Sequence, residues 1–201
     1  DLENLDTTYI CMTNAIVARL ADNSRLKTFS PAGIKDKDVP ASKEKPLGIV
    51  EHDQVMQSGQ IEPFYDEERL TPIVPVDTSP VPYAIQLEND VNGAGLLYFA
   101  RYVAMMNYAE RIFLLRNLDR PFSQPLTRYL STERRRSYFF ANAAETDEVL
   151  VHVSAAVVDL DQPAKKPSGL RTDALRLQLT FDLHRKSDGV LMAKSVVSKM
   201  L

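Results

Sequence analysis

The residues best suited to chemistry lie close together in the phrase from Asn89 to Tyr102, NDVNGAGLLYFARY. Asp90 is the nearest base, and equally a residue that caps a turn or a helix. Asn92 either donates a hydrogen bond to a carbonyl or closes a turn. Gly93 and Gly95 let the backbone come close to a bound group, or simply punctuate a loop. With a helix opening at Leu96, the N–H groups of Gly95 and Leu96 sit where negative charge is favoured. Tyr98 and Tyr102, four apart, share one helix face, lining a pocket or filling a core with their hydroxyls satisfied. The Gly-x-Gly pair is not a dinucleotide fingerprint, because Tyr98 stands where the third glycine is required.

Elsewhere the chemistry is sparse. His52, His152 and His184 are scattered, and the last two fall in strand-like runs where packing or surface exposure is the expectation. No Cys/His spacing points to a metal site. No G-x-S-x-G elbow is present. Cys11 is the single cysteine and reads as an apolar strand residue, so no internal disulfide framework exists.

The elements that would position these groups fall into two parts. Residues 1–82 hold one long strand candidate, Thr7 to Leu20, then a turn at Asp22-Asn23-Ser24. A proline-rich stretch follows from Ser30 to Pro82, expected to be mostly irregular, extended or in short helical pieces. Residues 83–201 carry a regular pattern. A short strand over Tyr83 to Glu88 leads through the loop Asn89–Gly95 to a helix from Leu96 to about Leu118. Leu96, Leu97, Phe99, Ala100, Val103, Ala104, Met105 and Met106 make its first four turns apolar nearly all round, so burial is expected there. Strands follow at Arg136–Asn142, Asp147–Leu160 and Leu175–Arg185. Lys186-Ser187-Asp188-Gly189 is a hairpin turn, and Val190–Lys199 returns as the last strand. A single apolar helix wrapped by a curved antiparallel sheet satisfies this order, an α+β fold.

The totals agree with a globular chain: 201 residues, 44% hydrophobic, 25% charged and a net charge of −3. That balance excludes nonspecific nucleic-acid binding by charge. No apolar run approaches the roughly 20 residues that span a bilayer. One cysteine and no signal-peptide pattern place the expectation in the cytoplasm. The chain begins with Asp rather than Met, and a fragment of something longer is one expectation.

The strand–loop–helix–strands order, with Gly95-Leu96-Leu97-Tyr98-Phe99-Ala100-Arg101-Tyr102, resembles the thioesterase branch of the hotdog superfamily. There a glycine opens the central helix, followed by two apolar residues, Tyr, His, two residues and Tyr. Tyr98 and Tyr102 match, while Phe99 replaces the His. Asn92 stands where the family usually has a catalytic Asp, and Asn107 where it often has Glu. The phrase from Asn89 to Glu110 is similar to the second half of double-hotdog proteins of polyketide biosynthesis, typified by the leinamycin-pathway acyltransferase/decarboxylase. The segment before residue 83 then resembles the end of a first hotdog and its linker.

The resemblance implies acyl groups carried as thioesters on coenzyme A or phosphopantetheine, with no resident cofactor. Asn92, Asp90 and Tyr98 are the implied catalytic candidates. Gly93, Gly95, Leu96, Tyr102, Arg134 and Arg135 are the implied substrate-binding ones. The run Arg134-Arg135-Arg136, with Arg128 nearby, would receive coenzyme A phosphates or an acidic carrier protein, or else form a solvated loop. Three readings stay open: acyl transfer with decarboxylation, a hotdog thioesterase or dehydratase, and a non-catalytic half that completes a fold or interface. A homodimer or pairing with another hotdog domain is expected.

Overall fold

The computed structural model describes residues 17–19, 26–28, 47–93, 95–117, 130–159 and 176–200. The expected turn at 22–24, most of the strand over 7–20, Cys11 and Arg128 lie outside the described residues. Within that strand's range, β1 (Val17–Arg19) pairs antiparallel with β2 (Leu26–Thr28).

The proline-rich stretch contains a regular helix that composition hides. Helix α1 (Leu47–Ser58) stops at Gly59, which adopts φ 67° and donates its N–H to the Val55 carbonyl at 2.9 Å. Glycine just past the last turn is a usual boundary residue. A 3-10 turn at Glu67–Arg69 leads into β3 (Leu70–Pro72).

The remaining elements are β4 (Val81–Ala84), a single helical turn α2 (Leu87–Asp90), α3 (Phe99–Asn117), β5 (Ser131–Phe139), β6 (Glu148–Val158), β7 (Arg176–Arg185) and β8 (Leu191–Met200). The strand expected over Tyr83–Glu88 therefore begins two residues earlier and ends at Ala84, because Leu87–Asp90 coils to close on Gln86. The six-stranded antiparallel sheet runs β3-β6-β7-β8-β5, with β4 also on β6. β4 pairs with the first part of β6 and β3 with its last residues, so two short strands share one edge. The 82/83 boundary falls inside β4.

Side-chain alternation sorts this sheet into two faces. Leu177, Leu179, Phe181 and Leu183 of β7, with Val149 and Val151 of β6, meet Met105, Met106, Ala109, Phe113 and Leu114 of α3 in one core. Each of the larger side chains in it contributes about 2–3 kcal/mol of burial. The opposite face is covered by α1 and the chain after it. Val55 and Ile61 pack on Tyr138, Phe140 and Leu191, and the Tyr65 hydroxyl meets the Ser198 hydroxyl at 2.7 Å. An antiparallel sheet holding one long helix, in this strand order, is the hotdog fold.

The first turns of α3 are expected to be buried all round and the later end to reach solvent; Phe99 and Ala100 are nevertheless exposed, and Glu110 is buried while Arg111 and Arg116 face solvent. Ala100, Asn107, Tyr108, Arg111 and Leu115 form an exposed stripe, because the sheet covers one side of α3 and α1 lies across the other face of the sheet.

Candidate functional site

The loop from Asp90 to Tyr98 is the segment singled out by sequence, and its backbone is engaged almost throughout. Asp90 is completely buried. Its carboxylate accepts from Arg101 Nε at 2.6 Å, the Gln86 N–H at 2.8 Å and the Tyr83 hydroxyl at 3.3 Å. Arg101 also reaches the Tyr83 oxygen, at 3.4 Å. The Tyr83 hydroxyl is held above its ordinary pKa, chiefly by burial, with the neighbouring carboxylate adding to it and Arg101 opposing. Asp90 thus anchors β4, α2 and α3 together, and it accepts hydrogen bonds on both oxygens rather than facing an open site.

Asn92 folds the loop on itself. Its carbonyl accepts from the Gly95 N–H at 2.9 Å, its Oδ1 from the Leu96 N–H at 3.1 Å, and its own N–H donates to the Leu96 carbonyl at 2.8 Å. Gly95 has φ 72°, a conformation that a side chain would strain, so it is required by the turn itself. Gly93 is exposed, with open space where a side chain would stand. The Leu97 N–H donates to Asn142 Oδ1 at 2.9 Å and the Tyr98 N–H to the Asp90 carbonyl at 2.8 Å.

These bonds correct the helix boundary. The N–H groups from Gly95 to Tyr98 are directed to acceptors within the loop and to Asn142, so α3 opens at Phe99 rather than Leu96. The Gly95 and Leu96 N–H groups that sequence reasoning assigns to a ligand are bound by Asn92. Within the first turn the Arg101 N–H donates to the Tyr98 carbonyl at 2.8 Å.

The two tyrosines also part company. Tyr98 precedes the helix and is 48% exposed, its ring 4.8 Å from that of Phe99, which is 63% exposed. Tyr102 is 4% exposed and donates its hydroxyl to the Ala141 carbonyl at 2.8 Å, with its ring edge-on to Phe139. Burial holds the Tyr102 phenol well above its ordinary pKa. Replacing Tyr102 by Phe leaves the Ala141 carbonyl without that donor; we expect a loss of about 1 kcal/mol in a urea melt.

The basic run divides between the two faces of β5. Arg135 points to α3, donating to Asn107 Oδ1 at 2.7 Å and approaching Met106 Sδ at 3.6 Å. Arg134 and Arg136 lie on the opposite face, with Arg134 over the Phe64 ring at 5.0 Å and the Tyr65 ring at 5.2 Å. Neighbours in a strand point opposite ways, so Arg134 and Arg135 do not form one anion cradle, and the run is strand rather than loop. Glu110 of α3 pairs with Lys199 of β8 at 2.9 Å, both buried.

Sequence reasoning misses the groups that hold the loop. Arg101, Tyr83, Asn142 and Arg185 come from separate parts of the chain. Arg185 is buried, donates to the Asn142 carbonyl at 2.7 Å and forks onto the Asp188 carboxylate. The hairpin tip is thereby tied to the residue that binds the Leu97 N–H. Asn142 at the end of a strand run is the only local signal.

No family model matches the chain, and no curated protein matches it. Its fold is similar to solved thioesterase structures. A 1,4-dihydroxy-2-naphthoyl-CoA thioesterase from Synechocystis is 18% identical, with a TM-score of 0.44, covering 61% of this chain and 80% of the other. The dynemicin thioesterase is 21% identical at a TM-score of 0.46, covering 61% and 79%. A thioesterase from Thermus thermophilus, solved with coenzyme A and zinc, is 18% identical at 0.41, covering 61% and 77%.

Proposed function

We propose that this chain processes acyl groups carried as thioesters on coenzyme A or on the phosphopantetheine of a carrier protein. Its most specific form is acyl transfer with decarboxylation, as in the double-hotdog proteins of the leinamycin type that the Asn89–Glu110 phrase resembles. The observation that carries this reading is the enclosure of Asp90. The carboxylate nearest the loop is committed to Arg101, Gln86 and Tyr83, while the outward stripe of α3 presents an amide, Asn107.

Hydrolysis or dehydration draws on a general base or nucleophile. Loss of CO₂ from a 2-carboxyacyl thioester needs donors facing the carbonyl instead. The bond to the carboxylate breaks, its electron pair passes through the α-carbon to the carbonyl oxygen, and a proton from water then restores the α C–H. In the transfer step the acyl carbon exchanges one sulfur for another, and the incoming thiol's proton ends on the departing thiolate. With acyl-CoA and a carrier as its substrates, the chain would work in the cytoplasm.

Intact-protein mass spectrometry on the chain, a carrier protein and malonyl- or methylmalonyl-CoA tests the reading. A carrier gaining the decarboxylated acyl group is the expected result. Free acid with coenzyme A would replace it with hydrolysis.

A second reading, a non-catalytic hotdog half, is favoured by the apolar surface that the single chain leaves bare: Tyr98, Phe99, Tyr108 and Leu115. A partner hotdog seated there would carry the chemistry. An unchanged mass spectrum together with acyl-CoA binding in a thermal shift would select this reading.

A further inference from the structure

Asn107 stands on the exposed stripe of α3, and its amide is oriented by its neighbour. A guanidinium only donates, so the atom that Arg135 Nη2 meets at 2.7 Å is the amide oxygen. The Asn107 amide nitrogen is therefore turned away from Arg135, on a residue exposed to solvent. An asparagine without such a partner rotates between two orientations that differ little in energy. Arg135 removes that freedom.

Arg135 itself is half-buried. Its hydrogen-bond partners are both neutral: the Asn107 oxygen and the weakly accepting Met106 sulfur. No described carboxylate lies within ion-pair distance of it. Glu110 acts on it only from further away and is paired with Lys199. Burial lowers the Arg135 pKa from its ordinary value, the mark of a partly desolvated cation, and Glu110 opposes that shift. An oriented amide donor beside a cation with no described carboxylate at ion-pair distance matches a ligand with a carbonyl and a carboxylate close together. A 2-carboxyacyl thioester, the malonyl class, has both.

We propose that Asn107 donates a hydrogen bond to the thioester carbonyl of a 2-carboxyacyl group and that Arg135 is its positioning residue. This rests on the acyl-thioester reading above, and it makes α3 one turn beyond Tyr102 the site of the reacting carbonyl. The stripe runs from Ala100 through Ala104 to Asn107, and its small side chains leave room along the helix for an extended arm. Asn107 would stabilise the enolate oxygen as CO₂ leaves, with no proton to give or take. Removing one such donor costs about 10²-fold or more in turnover.

Three variants separate the roles. Asn107→Asp keeps an acceptor for Arg135, so the fold has no reason to fail, but it presents a carboxylate oxygen where the donor was. Arg135→Met leaves Asn107 in place without a donor on its oxygen and frees its amide to rotate, and Arg135→Lys restores a donor to the amide oxygen. The probe is acetyl-CoA labelled with carbon-13 at the thioester carbonyl, followed by difference infrared spectroscopy on each protein.

The expected result is a carbonyl band shifted to lower frequency on wild type and unshifted on Asn107→Asp. The band broadens toward the free position on Arg135→Met and returns with Arg135→Lys. Turnover of malonyl-CoA falls about 10²-fold in Asn107→Asp, with thermal melting unchanged. A shifted band that all three variants retain would overturn the assignment while leaving the thioester reading standing. Failure of wild type to bind either coenzyme A ester would remove both.

Discussion

Replacing Asp90 by Ala will cost this protein about 3 kcal/mol of stability, the size expected when one member of a buried ion pair is removed. The carboxylate is completely buried and serves three donors from three places: Tyr83 of β4, the Gln86 N–H before α2, and Arg101 of α3. Alanine leaves all three facing a void. The Arg101 side chain is one-third exposed and recovers part of its hydration, which keeps the loss toward the lower end of the range. Asp90→Asn keeps an acceptor but not the charge, so its loss is smaller, about 1–2 kcal/mol. Urea melts of the three proteins measure both numbers. The same pair of variants examines the chemistry. A base at Asp90 predicts that Asp90→Asn abolishes turnover, whereas an anchor predicts turnover near wild type at temperatures where the variant is folded.

The second large effect is expected at the Glu110–Lys199 pair, which joins α3 to β8 at 2.9 Å with both side chains buried. Glu110 Oε2 has no hydrogen-bond partner among the described residues. Lys199→Met therefore leaves a buried carboxylate without its cation, at a cost of about 3–5 kcal/mol. The double variant Glu110→Met with Lys199→Met removes both charges and both desolvation penalties, and it should recover most of that loss. A double-mutant cycle by denaturant melting reads the coupling directly. Single and double variants that lose the same amount would show that the cost is packing rather than charge.

The order of elements is legible in the sequence because it depends on periodicities that survive any context. Leu177, Leu179, Phe181 and Leu183 alternate in sequence and line one face of β7 in the fold. Asp188-Gly189 marks the hairpin, and Gly189 carries φ 73° there. The sequence reading of Ser30–Pro82 allows only short helical pieces, and α1, 12 residues long and closed by Gly59, is longer than that, because the surrounding prolines dominate the stretch. Residue types alone start α3 three residues early, at Leu96 rather than Phe99. Leu96, Leu97 and Tyr98 suit a helix by type, but their N–H groups are drawn away by Asn92, Asn142 and Asp90. Asn92 and Asp90 are near in sequence, but the acceptor on Asn142, 45 residues beyond Leu97, leaves no trace in a local window.

The hydrophobic pattern is written in the order of the amino acids, and with it come the long strands of the sheet, the single long helix and the turn between β7 and β8. The phrase from Asn89 to Tyr102 stands out on the same terms. The duties inside that phrase arise only once the chain is folded. Asp90 is an anchor because Arg101, eleven residues on, folds back to meet it. Tyr102 is a core residue because Ala141 offers it a carbonyl, while Tyr98 stays outside. Arg134 and Arg135 are adjacent letters until the pleat of β5 sends one to Phe64 and the other to Asn107. Composition and spacing set which groups exist. Their partners come from other elements and loops of the fold, and a polar group's role follows from which partner the fold brings within hydrogen-bond distance.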